Sequence, residues 1–220
     1  MNISLAVSLL SGIFILLAFA IYNREIFRGS SKPNVVSWGL WSMVTVLNMA
    51  SYLALTGDIL KNSLSIVAAS ATFVTFLYIF QKNSGISLTM TDWITLSIGV
   101  ISAFVWMVFQ SAVFANLTLQ LANIAAFVPT YRSVWNNPEN EKPLPWFFFS
   151  TAYLFLNITV FIRWSGNAAD LVFPVLGLFL HASLTALIVF RKKYLKCFKE
   201  QIEPEAEETE GAEGGLAFSE

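Results

Sequence analysis

Two apolar segments of this 220-residue chain carry polar and aromatic side chains at the same intervals. In 35–55, Trp41, Thr45, Asn48 and Tyr52 stand at i, i+4, i+7 and i+11, one face of an α-helix. In 146–162, Trp146, Ser150, Tyr153 and Asn157 repeat those intervals, and a third stripe of Asn116, Gln120 and Asn123 runs along 113–131. Amides and hydroxyls of this kind hydrogen-bond neutral polar groups, and an indole offers a flat face for stacking. An unpaired amide in hydrocarbon costs several kcal/mol, so the stripes must face each other or a wet cavity. They serve equally well as interhelical hydrogen bonds, the simpler reading for Ser42, Thr45 and Ser51. Thr72 and His181, 109 residues apart, add one more matched pair, and a histidine inside a span is a candidate for function.

The elements that position these residues are long apolar runs. Hydrophobic residues make up 56% of the chain and charged ones only 12%, with a mean hydropathy of +0.64, so the solvent is a lipid bilayer. Seven runs are long enough to cross one: 3–22, 35–55, 63–81, 93–110, 113–131, 146–162 and 171–190. The first lacks a basic leader and a small-residue cleavage site, and reads as a retained helix. Eleven of the thirteen Lys and Arg fall on one side of this arrangement. Only Lys61 and Arg163 fall on the other, which predicts an external or lumenal N-terminus and a cytoplasmic C-terminus. Plasma or inner membrane is the expected location.

Residues 22–58 also recur, in order, at 131–167. Tyr22 matches Tyr131, Asn48 matches Asn157 and Gly57 matches Gly166 at an offset of 109, and Lys32-Pro33 matches Lys142-Pro143 at 110. A repeat of membrane helices is a common construction of transporters, with the site where the halves meet. Three helices per copy would invert the second copy; the extra span 93–110 restores its orientation. The expected fold is therefore all-α, with two parallel three-helix bundles at 1–81 and 113–195 joined by a linker helix within 82–112. Residues 196–220 hold half of the 14 acidic residues from 201 onward and read as a disordered, acidic cytoplasmic tail.

Several chemistries are excluded by what is missing. With one His and one Cys there is no metal cluster and no disulfide, and no nucleophile–base pair suggests an enzyme. No phosphate loop, nucleic-acid surface or cofactor motif is present. No charged residue lies deep in a span, which favours a facilitator over an ion-coupled pump. Pro129 lies inside the fifth span and favours a kink there. Pro33, Pro143 and Pro145 stand at the starts of the second and sixth helices, where they would ring a cytoplasmic gate. Trp93 and Trp164 lie near the ends of spans as expected of a membrane-interface belt.

Phe127-Val-Pro-Thr-Tyr-Arg-Ser-Val-Trp135 resembles the PQ-loop pattern, with Pro129-Thr130 in place of Pro-Gln, and Phe173-Pro-Val-Leu-Gly177 is similar to the helix-seven pattern of SWEET transporters. The resemblance to the SWEET and PQ-loop superfamily covers roughly 1–195 in architecture. It implies a carrier of a small neutral solute, a sugar first of all, working by alternating access. The family's sugar-contacting Asn falls here on Pro174, and its first-half partner on Ser65. Carriers for nicotinamide riboside share a related plan, as do amino-acid carriers, and both stay open as alternatives. A receptor or scaffold acting through the acidic tail is the alternative of a different class. The residues expected to bind solute are Asn48, Asn157, Trp41, Trp146, Ser150, Gln120, Asn123, Thr72 and His181. The partners expected are the solute and the bilayer; a homo-oligomer is compatible with the sequence, and nucleic acid is not.

Overall fold

The computed structural model describes residues 2–82, 90–109 and 111–214, without the side chains of 199–214 and of part of the fourth helix. Its described residues form seven α-helices and one 3-10 turn. These are α1 (Ile3–Phe27), α2 (Val35–Thr56), α3 (Ser63–Lys82), α4 (Met90–Phe109), α5 (Ala112–Asn136), the 3-10 turn Pro138–Asn140, α6 (Pro143–Ile162) and α7 (Ala169–Gly214). Among the described residues, six helices, α1–α3 and α5–α7, are long and apolar enough to cross a membrane. The apolar part of α7 ends at Phe198, and its helical backbone runs on to Gly214 through the segment expected to be a disordered tail. The side chains of that acidic segment and the connection at 83–89 lie outside the described residues.

Many small polar residues are buried between the helices and many large apolar ones are exposed, unlike a water-soluble protein. On α1, Ser4, Ser8, Ser11, Ala18 and Tyr22 are buried, while Ile3, Leu9, Ile13 and Leu16 are more than half exposed. The small inward residues let backbones approach, and Ser11 donates to the Ala152 carbonyl of α6 at 2.9 Å. Such a surface is stable only against hydrocarbon, which makes this a multi-pass membrane protein.

Local chemistry sets the helix ends. Asn2 and Asn34 cap α1 and α2 by accepting from the amides of Ser4 and Ser37, at 3.2 and 2.9 Å. Pro143 opens α6, where its missing N–H is harmless. Gly57 and Gly166, matched in the sequence, both adopt left-handed backbone with φ of 60° and 85°. There, glycine lacks the Cβ that would penalise the conformation.

The helices pack as a closed ring. α1 lies against α3, α3 against α2, and α2 against α5; α5 then meets α7, α7 meets α6, and α6 returns to α1. α4 sits outside the ring on α5 and α2. Within α1–α3 and within α5–α7, the third helix of each set lies between the other two. The α1–α6 and α2–α5 contacts join the sets.

Candidate functional site

All six ring helices contribute to one central cavity of about 50 Å³. Its wall is mainly aromatic: Phe19 from α1, Trp38 and Trp41 from α2, Phe127 from α5, Trp146, Phe149 and Tyr153 from α6. Polar atoms come from Thr45, Thr72, Asn123 and His181. The rings hold one another edge to face, with Trp41 and Phe127 centred 4.8 Å apart and Trp41 and Trp146 5.9 Å apart. Edge-to-face contacts are the favoured geometry of aromatic quadrupoles and stiffen the wall.

His181 of α7 lies among Phe127, Trp146, Phe149 and Tyr153, with centroids 4.8–5.8 Å away, and is stacked on Tyr153. Its Nδ1 is 2.7 Å from the carbonyl oxygen of Gly177. A carbonyl only accepts, so Nδ1 carries the proton and Nε2 is left as an acceptor. Gly177 is required here: a Cβ added to it would lie 2.1 Å from the Tyr153 ring. Among the described residues, the buried Trp41 indole N–H has no hydrogen-bond partner. The hydroxyls of Thr45 and Thr72 donate to carbonyls one turn back, those of Trp41 and Ala68, and keep lone pairs to accept with.

Five of the expected solute-binding residues therefore line the cavity: Trp41, Trp146, Thr72, His181 and Asn123. The other four do not. Asn48 heads a buried amide cluster, accepting from Asn116 and Gln120 at 3.0 Å each and donating to Ser65 at 3.5 Å. Asn157 donates to the carbonyls of Tyr153 and Pro174 at 2.8 and 2.9 Å. The pair keep matching partners, since Ser65 and Pro174 are also 109 apart, but no hydrogen bond links Asn48 to Asn157. The repeat brings them to equivalent places in the ring and not to each other: each bonds the third helix of its own set, at Ser65 and Pro174, and Asn48 is held in addition by Asn116 and Gln120 of α5. Ser150 is half-buried and donates to the carbonyl of Trp146.

None of the four prolines expected at a gate lines the cavity. Pro129 is buried within α5, two residues from Phe127, and the helix continues past it to Asn136. Pro33 precedes the Asn34 cap, while Pro143 and Pro145 lie in the first turn of α6.

Both ends of the ring are closed by polar networks that the stripes did not reveal. At one end, Lys61 pairs with Asp170 at 2.6 Å, both almost wholly buried, and Ser165 donates to the same carboxylate oxygen. Arg163 pairs with Asp58 at 2.5 Å. Burial would raise the Asp58 carboxyl, but bonds from Arg163 and the Leu60 amide hold it below its ordinary range. Tyr52 donates to the Asp170 carbonyl at 2.7 Å. At the other end Glu141 is buried between α1 and α6. The sequence signals for Lys61 and Asp170 were their 109-residue separation and opposite signs; Glu141, beside Lys142, looked like an ordinary loop charge.

Comparison with family models, with curated proteins and with solved structures finds no match.

Proposed function

We propose that this protein is a carrier that moves a small neutral polar solute, a sugar first of all, by alternating access between two parallel three-helix repeats. α1–α3 form one repeat, α5–α7 the other, and α4 links them, with the N-terminus external and the C-terminus cytoplasmic. The observation that carries this reading is the cavity to which all six ring helices contribute, where the two sets meet. Rocking one set against the other changes every part of that wall at once. The matched packing order, third helix between first and second, supports the repeat.

The wall's chemistry supports the solute class. Indole and phenyl faces stack on the C–H faces of a sugar ring, while Asn123, His181 and the Trp41 N–H reach its hydroxyls. About 50 Å³ has room for a few waters and not for a sugar, so the arrangement is a contracted one that must widen to admit solute. The solute-binding set is Trp41, Trp146, Asn123, Thr72 and His181, and Asn48, Gln120 and Asn157 brace the helices around it.

Uptake into proteoliposomes from a panel of sugars, nucleosides and amino acids tests the reading. Trp41→Ala with Asn123→Ala should abolish uptake of the accepted solute while the protein stays folded. Uptake that survives both changes would remove the cavity from the mechanism, and no uptake of any solute would sink the carrier.

A further inference from the structure

Glu141 is 2% exposed, closing the turn that leads into α6. Tyr22 of α1 donates to one carboxylate oxygen at 2.9 Å, and the Trp146 indole N–H donates to the other at 3.1 Å. Tyr22 accepts in turn from the Trp38 N–H of α2 at 3.3 Å. The network thus joins helices of both sets, and two of its members, Trp38 and Trp146, are also walls of the cavity. One residue before Glu141, the Asn140 carbonyl accepts from the Lys32 amide at 2.7 Å, tying the α1–α2 and α5–α6 connections together.

The surroundings hold no countercharge in contact. From α1 the carboxylate faces Tyr22, from α6 Trp146, from α2 the Trp38 that backs Tyr22, and from α7 the more distant Lys192. Lys192 is itself 3.3 Å from Glu139, which also holds Lys142 at 3.0 Å. Among the described residues no cation lies within ion-pair distance of Glu141. A carboxylate sealed from water with hydrogen bonds but no cation is costly to keep charged, and it binds a proton instead. Burial raises its pKa from 4.5 to about 7, against the opposing pull of the Tyr22 and Trp146 bonds and of Lys192. Exposed to water on opening, the same group would return to the ordinary carboxylate range.

We propose that Glu141 is a proton-binding site that gates this end of the carrier: it takes up one proton as the end closes over it, and on opening the carboxyl O–H breaks and the proton passes to water. Linkage then fixes the sign. Acid on the Glu141 side favours the closed end, and alkali favours the open one. The transport part of this inference rests on the carrier reading; the proton site itself does not.

The test uses the full-length protein at pH 5–9. Infrared difference spectra should show a protonated-carboxyl band that disappears with a midpoint near 7, and tryptophan fluorescence should change with the same midpoint. Both signals should be absent in Glu141→Gln. Tyr22→Phe, which removes a bond to the charged form, should move the midpoint up by about one unit. A band that persists in Glu141→Gln, or a carboxyl that titrates below about pH 5, overturns the site. If Glu141→Gln does not fold, an unmoved midpoint in Tyr22→Phe overturns it as well. In proteoliposomes, solute exchange should accelerate as pH rises on the Glu141 side, and this dependence should vanish in Glu141→Gln. Titration without movement of any solute would refute the carrier and leave the proton site; pH-independent exchange would refute the gate and leave the carrier.

Discussion

At the Asp170 end of the helix ring, two cations stand against two carboxylates, Lys61 on Asp170 and Arg163 on Asp58. At the Glu141 end a single carboxylate is held by a phenol and an indole, with no cation in contact among the described residues. Burial is alike at the centre of each network; charge balance is not. The first end has exchanged hydration for Coulomb attraction between opposite charges. The second can be neutral only by binding a proton. One end is therefore held by paired charges, and the other by a carboxyl whose charge depends on proton binding.

The largest expected effect is at the first end. Asp170→Ala leaves the Lys61 ammonium buried without its partner and should cost about 3–5 kcal/mol of stability in thermal unfolding. Changing Lys61→Met and Asp170→Leu together should recover most of that, because the penalty lies in the orphaned charge. If the double change is as damaging as the single one, the ion pair contributes more than its own neutrality.

The second prediction concerns pH. The folded-state pKa of Glu141 is raised, so folding favours the protonated form. Stability should fall as pH rises from about 4.5 to about 7, by on the order of 3 kcal/mol, and Glu141→Gln should flatten that slope. Asp58 has the opposite sign: its carboxyl is lowered, so its contribution is present above the usual carboxylate range and is lost on acidification. Unfolding temperatures measured from about pH 2 to 8 in Glu141→Gln and in Asp58→Asn separate the two ends.

Next comes a matched pair of phenols. Tyr52→Phe removes a bond to the Asp170 carbonyl and should cost about 1 kcal/mol with little change across neutral pH. Tyr22→Phe removes a bond to a group whose charge changes, so its cost should be near that value at pH 6 and rise toward 2 kcal/mol at pH 8. Equal pH profiles for the two would erase the contrast between the ends.

The smallest effect belongs to Arg163, whose side chain is one-third exposed. Arg163→Lys should change stability by less than about 1 kcal/mol, and 0.5 M salt should remove most of the difference.

The helices were legible in the sequence because apolar runs of this length and polarity leave few alternatives, and the repeat was legible as text. The cavity was legible in part. Trp41, Trp146, Thr72, Asn123 and His181 stood out as polar or amphipathic groups in apolar surroundings, whereas Phe19, Phe127 and Phe149 are hidden among the many phenylalanines of lipid-facing surfaces. Helical spacing also cannot separate a residue that faces a cavity from one that braces a neighbour. Asn48 shares the Trp41 stripe yet binds Asn116 and Gln120, because both destinations lie on the inward face. Glu141 and Lys61 were missed as buried groups for a further reason. Loop charges look solvated until distant segments close over them, and here Tyr22 and Asp170 come from 119 and 109 residues away.

The Lys61–Asp170 pair has a bearing on how such a ring could have come about. Its two members are separated by 109 residues, the interval of the repeat. In a symmetric dimer of identical half-length chains, a residue at the axis meets only its own copy, so position 61 would face another lysine or, after one substitution, two aspartates would face each other. An attractive pair at that point requires two halves that are free to differ. Joining them in one polypeptide supplies that freedom, and the buried bridge is a contact that two identical halves could not make.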